Sequence, residues 1–330
     1  MPQKDTQTLH CPAYLLPEPV FISDEARIFL RAQQQSDTEA TAHQPLSEDQ
    51  QREQFYQSED YQHLREQYPV TVVEQSLNGV EVEVFTPQTG IAPRNTDRVL
   101  VNFHGGCFMH GARTVSHLES IPIAALGRIK VISVDYRLYP AHRYPAATED
   151  AVAVYKALLN DYDPSQIGLF GASAGAQLVA QTLAALQAEY LPPPAAVAMI
   201  AEGAGLHNQG DSIAINGAIF EAKTGLDLQQ AIAMPYFDGV DLNDARVCPG
   251  VNDTVMRQFP PTLLASSGRD IWLSPVLATH RQLCRLGVPT ELHIWEGLEH
   301  CFHYQCALPE AKELHQTVVR FFEQHWRDDQ

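Results

Sequence analysis

The chain has 330 residues, of which 45% are hydrophobic and 19% charged, enough to bury the core of one large domain. Its formal net charge of -18 opposes binding to nucleic acid or anionic lipid and favours a small neutral or weakly polar substrate. The polar amino terminus and the lack of a long apolar run predict a cytoplasmic protein without a transmembrane segment.

The first 68 residues form a polar, glutamine-rich segment in which two helical stretches are predicted. They span roughly Ser23 to Gln35 and Ser47 to Gln67. The second stretch begins with a capping-box pattern, because Gln50 follows Ser47 by three residues.

The composition changes sharply after this segment, where β-rich runs begin. Val70 to Gln75 and Val80 to Thr86 flank Asn78-Gly79, a dipeptide typical of hairpin turns. From Arg98 onward, short apolar strand candidates alternate with helical segments, which predicts an α/β fold with a mostly parallel sheet covered on both faces. These strand candidates are Arg98 to Phe103, Lys130 to Val134, Gln166 to Phe170, Ala195 to Ile200, Thr262 to Ser266 and Thr290 to Trp295.

The helical segments are recognised by apolar residues at helical spacing. Ala147 to Asn160 carries them between two strand candidates, and a closing helix would pack on the sheet through one apolar stripe. The stripe consists of Ala311, Leu314, Val318, Phe321 and Phe322.

The alternation is interrupted once, between about Gly203 and Met256. This stretch is rich in Gly, Asn and Asp, shows weak periodicity, and is too long for an ordinary connection. We interpret it as an insertion above the carboxyl ends of the strands, where open α/β sheets bind ligands. A disordered loop is the alternative.

The strongest local motif is Gly171-Ala172-Ser173-Ala174-Gly175, between a predicted strand and the helical run Gln177 to Ala188. A G-x-S-x-G turn is too tight for a Cβ at the two glycine positions, here Gly171 and Gly175, and it holds the serine exposed above the sheet. Ser173 is therefore the candidate nucleophile. A glycine-rich start of a helix is the alternative reading of the motif alone.

A serine nucleophile needs a base, and the base needs a group that orients it. Asp270 and His300 each follow a predicted strand, in the chain order serine, acid, histidine that this kind of site uses. Ser173, Asp270 and His300 are therefore the predicted catalytic residues.

Backbone donors for an oxyanion are expected in the strand-to-glycine loop His104-Gly105-Gly106-Cys107 and at Ala174, which follows the nucleophile. The glycines of the loop allow a close approach of the backbone to the reacting carbonyl. A glycine turn without function is the alternative.

These motifs resemble the bacterial hormone-sensitive-lipase-like esterases. The H-G-G-G loop of that family is similar to residues 104–107, its G-D-S-A-G-G elbow to residues 171–176, and its final G-x-x-H-x-F to residues 297–302. Its D-Y-R-L-A-P-E segment resembles residues 135–141. The chain departs from the family at Cys107, Ala172, Ala176, Tyr139 and Ala141.

The resemblance implies an α/β-hydrolase fold with an eight-stranded sheet and a helical cap. It divides the chain into a cap segment at 1–68 and a core at 69–330, with a cap insertion at about 204–256. It also implies hydrolysis of esters with short to medium acyl chains, with no cofactor, and with Gly106, Cys107 and Ala174 as the oxyanion donors. Gly105 belongs to the same hole, and His104, Gly171 and Gly175 have structural roles.

No metal is expected, because cysteines and carboxylates are absent from ligand spacing around His300 and His303. The six cysteines are read as free thiols. An amidase or lactonase with the same triad and a catalytically silent ligand receptor stay open as alternatives. The motifs do not specify the natural ester, the oligomeric state, for which a homodimer is one option, or whether Cys107 lines the acyl pocket.

Overall fold

The computed structural model describes residues 15–36, 47–205 and 209–326. Within these residues, eight strands form one sheet in the order β1-β2-β4-β3-β5-β6-β7-β8. The pairs β1·β2 and β2·β4 are antiparallel, and the other pairs are parallel. The strands are β1 Val70–Leu77, β2 Val80–Pro87, β3 Val99–Phe103, β4 Lys130–Val134, β5 Ile167–Ala172, β6 Ala196–Ile200, β7 Thr262–Ser267 and β8 Thr290–Trp295.

Helices cover both faces of the sheet, which explains why the central strands β3 and β6 are buried at every position and not only at alternate ones. Helices α5, α6 and α10 pack on one face, and α1, α3, α4 and α11 pack on the other. None of the helices described combines the length and the apolar content needed to cross a membrane. The helices are α1 Asp24–Ser36, α2 Glu48–Gln57, α3 Glu59–Gln67, α4 Val115–Gly127, α5 Ala146–Leu158, α6 Ala174–Ala188, α7 Asp211–Thr224, α8 Leu228–Ala231, α9 Asp253–Met256, α10 Leu273–Leu286 and α11 Pro309–His325.

The predicted fold class and the predicted strands are confirmed to within a few residues at each boundary. The hairpin turn is at Asn78-Gly79, and both residues have the positive φ that this turn requires. The capping box is also present, with Ser47 Oγ accepting from the Gln50 N–H and Gln50 Oε1 accepting from the Ser47 N–H. The single stretch expected over 47–67 is wrong, because Ser58 adopts an extended conformation and caps a second helix, α3.

The amino-terminal helices pack against the core through both apolar and polar contacts. Tyr61 and Leu64 of α3 are buried, and Tyr61 Oη lies 2.9 Å from Nδ1 of His117 in α4. Ser23, just before α1, donates its N–H and its hydroxyl to the Glu310 carboxylate of α11. Residues 15–36 and 47–68 are therefore attached to the core; their role as a cap stays a prediction.

The stretch that interrupts the strand and helix alternation is helical where it is described. Residues 209–256 contain α7, α8 and α9, so a disordered loop does not fit this part. Helix α7 ends at Gly225, which has φ 69°. It is joined to α10 by reciprocal bonds between the backbone N–H groups and hydroxyls of Ser212 and Ser274.

Candidate active site

Ser173 lies in the turn between β5 and α6, at the carboxyl edge of the sheet. Its backbone has φ 52° and ψ -120°, a strained conformation for a residue with a side chain. The turn is tight because β5 and β3 are in contact: a Cβ at Gly175 would lie 1.7 Å from the Phe103 carbonyl oxygen, and one at Gly171 would lie 2.4 Å from it. The Ser173 N–H donates to Ile200 O of β6 at 2.8 Å.

Three side chains from different strand ends form a continuous hydrogen-bonded chain. Nε2 of His300 lies 3.0 Å from Oγ of Ser173, and Nδ1 of His300 lies 2.8 Å from Oδ1 of Asp270. The Asp270 carboxylate is fully buried and also accepts from the Trp272 N–H and the Ser266 hydroxyl. With Nδ1 donating to Asp270, Nε2 is left to accept a proton from the serine.

The electrostatics of His300 follow from its two neighbours. Burial lowers the pKa of His300, and the Asp270 carboxylate opposes that effect and raises the pKa above its ordinary value. Burial also raises the pKa of the adjacent Cys301 thiol, so Cys301 is neutral near pH 7 and Asp270 provides the negative charge. An imidazolium formed during a reaction is therefore stabilised.

The glycine loop after β3 includes residues with positive φ and a position without space for a Cβ atom. Gly106 has φ 119° and Cys107 has φ 55°, and a Cβ at Gly106 would lie 2.1 Å from His110 O. In the described part of the chain, no acceptor is bonded to the N–H groups of Gly106, Cys107 or Ala174. Gly105 differs, because its N–H donates to Glu119 Oε1 at 2.9 Å. Gly105 is therefore occupied as a structural donor.

The side chain of His104 stabilises the same loop through a ring contact and a hydrogen bond. Its ring stacks on Tyr136 with centroids 4.3 Å apart, and Tyr136 donates its hydroxyl to the His104 carbonyl oxygen. Burial lowers the pKa of His104 to about 4, so the ring is neutral and its Nδ1–H donates to Gly105 O. The motif residue is thus placed as a structural one.

Glu119 of α4 is a site residue that the sequence reading missed. Its buried carboxyl accepts from the Gly105 N–H, from Asn102 Nδ2 at 2.7 Å and from the Tyr304 hydroxyl at 2.8 Å. Burial raises the pKa of Glu119 to about 7. Because Tyr304 follows the His300 loop, this one carboxyl connects the glycine loop to the loop of the base. The sequence carries one signal, because Glu119 is the only acidic residue of α4, but this signal does not show what the carboxyl binds.

Ser173 and His300 open into a cavity of about 510 Å³. Cys107 and Ala174 line it beside the serine, and α7 and α8 contribute an apolar wall. Lys223 of α7 is ion-paired with Glu299, the neighbour of His300. The wall is formed by Ile219, Phe220, Ala231, Ile232, Met234, Ile271 and Trp272.

The cysteines that the structure describes are free thiols, and they form no metal-binding group. Among the side chains that the structure describes, no cluster of three His, Cys, Asp or Glu could hold a metal ion. Cys107, Cys248, Cys284, Cys301 and Cys306 are free thiols, and Cys11 lies outside the described residues.

Known proteins resemble this chain in sequence and in structure. A family with the alpha/beta hydrolase fold matches residues 100–304. An acetyl-hydrolase of Streptomyces hygroscopicus is 31% identical over 231 residues, which cover 69% of this chain and 76% of the relative. Esterase LipU of Mycobacterium tuberculosis is 31% identical over 237 residues, covering 68% and 77%.

Two crystal structures extend the likeness over nearly the whole chain. Esterase E25 has a TM-score of 0.81 and 30% identity, with 97% of this chain and 99% of that chain covered. An esterase from the bacterial hormone-sensitive lipase family has a TM-score of 0.76, 24% identity and coverage of 91% and 98%, which shows the same fold.

Proposed function

Because this chain belongs to the alpha/beta-hydrolase family, we propose that it is a serine carboxylester hydrolase in which Ser173, His300 and Asp270 act as one catalytic unit. The chain is an esterase, as its relatives are, and the resemblance to hormone-sensitive-lipase-like esterases is confirmed. The observation that supports the triad is the hydrogen-bonded chain from serine through histidine to a buried carboxylate.

The first step of the reaction is acylation. Nε2 of His300 takes the proton of the Ser173 hydroxyl as Oγ attacks the ester carbonyl carbon. The imidazolium is stabilised by Asp270, and it then donates that proton to the alkoxide oxygen of the leaving alcohol as the C–O bond breaks. The products of this step are the alcohol and an acyl-enzyme on Ser173.

The second step is deacylation by water. His300 accepts a proton from water while the water oxygen attacks the acyl carbonyl, and the proton returns to Ser173 Oγ when the acid leaves. In both steps the N–H groups of Gly106, Cys107 and Ala174 stabilise the oxyanion. This role is supported because none of the three N–H groups has an acceptor among the described residues, and because Cys107 and Ala174 line the cavity with Ser173.

The cap and the cavity define the range of substrates in this proposal. The apolar wall from α7 and α8 suits short to medium acyl chains, and the cavity of about 510 Å³ is large enough for one small ester. The proposed cap comprises the amino-terminal segment 1–68 and the insertion at about 204–256, of which residues 1–14, 37–46 and 206–208 lie outside the described residues. Assembly as a homodimer stays a prediction.

Ser173→Ala tests the proposal directly. The variant should lose at least about 1000-fold in kcat/KM on p-nitrophenyl butyrate, because removing a triad member leaves only binding and oxyanion stabilisation. Ser165→Ala is a matched control at the opposite end of β5 and should keep full activity. A fluorophosphonate probe should label Ser173 in the parent protein.

The alternatives give different results in the same assays. A silent receptor would bind esters without turnover in the parent protein, and an amidase would hydrolyse butyryl anilide faster than butyrate ester. Substantial residual turnover in a folded Ser173→Ala variant would contradict the catalytic role of Ser173.

A further inference from the structure

Gln177 lines the cavity but has no task in the mechanism above. It lies one helical turn after Ser173 on α6 and is 1% exposed. Its Nε2 donates to Val247 O at 2.9 Å, which fixes the orientation of the amide. Among the described residues, nothing bonds its Oε1. The oxygen is therefore a buried acceptor without a partner, beside the nucleophile.

Gln181, one further turn along α6, shows that this arrangement is not required by the fold. Its Nε2 also donates to Val247 O at 2.9 Å, but its Oε1 accepts from the Thr148 hydroxyl. Gln181 does not line the cavity. The two glutamines thus share one anchor, and only the cavity-lining one keeps a free acceptor.

Glu202 is the second polar group of the cavity that the mechanism does not use. It follows β6, the strand between those that position Ser173 and Asp270. The side chain is 4% exposed, and its Oε1 accepts from the N–H of its own neighbour Gly203. Burial raises the pKa of Glu202 to about 8, with the Asp270 carboxylate acting in the same direction. Near pH 7 the group is therefore a neutral acid that can donate a hydrogen bond.

Leaving the buried Oε1 of Gln177 unpaired costs about 1–3 kcal/mol, and burying the Glu202 carboxyl in the wall of the cavity costs desolvation of a second polar group. An apolar side chain at either position would avoid that cost. The two groups offer one acceptor and one donor, and a hydroxyl group complements both, because it donates one hydrogen bond and accepts another.

We propose that Gln177 and Glu202 form a polar subsite that binds a hydroxyl group of the ester, so that hydroxyl-bearing esters are preferred substrates. The inference rests on the esterase function proposed above. The hydroxyl belongs either to the acyl chain or to the alcohol part, and both sources present the same chemistry to the subsite.

Matched substrates distinguish the two sources. Ethyl butyrate is compared with ethyl 3-hydroxybutyrate for the acyl part and with 2-hydroxyethyl butyrate for the alcohol part. The parent protein should prefer the hydroxylated ester of one pair by at least about 10-fold in kcat/KM, since a site that hydrogen-bonds a substrate hydroxyl discriminates against its absence.

Variants assign that preference to the two side chains. Gln177→Met and Glu202→Met, which remove the acceptor and the donor respectively, should each reduce the ratio of hydroxylated to plain ester to less than about 3-fold. Gln181→Met is the matched control, because it removes the other bond to Val247 O and should keep the ratio. Thermal unfolding by circular dichroism verifies that each variant is folded.

Each other outcome overturns a definite statement. Turnover of plain ethyl butyrate without preference in either pair would refute the subsite and leave the esterase proposal standing. A preference that survives both variants would also refute it, as would an equal loss on both members of a pair, which indicates a structural role or a bound water. Failure of the parent protein to hydrolyse any ester would instead refute the proposed function.

Discussion

Replacing Cys107 by glycine should widen the cavity beside Ser173 without removing an oxyanion donor. Cys107 lines the cavity, and burial raises the pKa of its thiol, so the side chain is a neutral group. Glycine keeps the backbone N–H and removes Cβ and Sγ. We expect the variant to accept longer acyl chains.

The magnitude follows from the volume released and from the backbone. Each methylene that enters an apolar site contributes about 0.8 kcal/mol, which corresponds to roughly a fourfold change in kcat/KM. The ratio of kcat/KM for the hexanoate ester to kcat/KM for the acetate ester should therefore rise about fourfold. The positive φ of Cys107 costs the folded state about 1 kcal/mol, and glycine removes this cost. Glycine also increases the conformational entropy of the unfolded chain, which destabilises the folded state by a similar amount. The free energy of unfolding should change by less than about 1 kcal/mol.

The assay is kcat/KM on p-nitrophenyl esters from acetate to hexanoate, with urea unfolding of the same samples. Cys107→Ala is the matched control, because it removes Sγ but keeps Cβ and the left-handed backbone. Its ratio should lie between those of the parent and of Cys107→Gly. An unchanged ratio in folded Cys107→Gly would show that the thiol does not limit the acyl chain and would refute the reasoning.

Three further predictions follow from the site. The base must be neutral to accept a proton, and Asp270 raises the pKa of His300. The value of kcat/KM for a neutral ester should therefore rise with pH through one ionisation whose pKa lies above the ordinary histidine value of about 6.5. A flat profile from pH 5 to 8 would contradict the role of His300 as the base. Glu119→Ala should lower the free energy of unfolding, measured in urea, by about 3 kcal/mol, because three buried donors lose their acceptor at about 1 kcal/mol each. The variant should also reduce kcat more than it changes KM. A loss of unfolding free energy below about 1 kcal/mol would argue against the network. If α1 is part of the cap, Gln33→Leu should change the hexanoate to acetate ratio at least about twofold, since Gln33 lines the cavity, whereas Ile28→Ala on the exposed side of α1 should not.

The positions of Ser173, Asp270 and His300 could be predicted because each follows its own strand. Parallel strands end at the same edge of a sheet, so residues far apart in the chain meet there. The predictions from local motifs were also confirmed, as for the Asn78-Gly79 turn and the Ser47 cap, because backbone conformation there depends on a few neighbouring residues.

Residues whose role depends on a partner far away in the chain could not be predicted. The apolar residues of α7 do not form a single stripe, because some of them line the cavity and the helix is joined to α10 through Ser212 and Ser274. Glu119 is an ordinary helical residue until folding brings Gly105 and Tyr304 to its carboxyl. Gly105 was grouped with the oxyanion donors because nothing in the motif shows that its N–H is already bonded.

The sequence by itself determined the fold class, the order of the strands along the chain and the three residues proposed as the triad. These depend on periodicity and on motifs, which are local properties. Only the tertiary structure decided which polar groups face the cavity and which are paired inside the core. Gln177 and Gln181 show the reason: both are buried glutamines on one helix, and the surroundings of each amide, not its residue type, leave one oxygen without a partner.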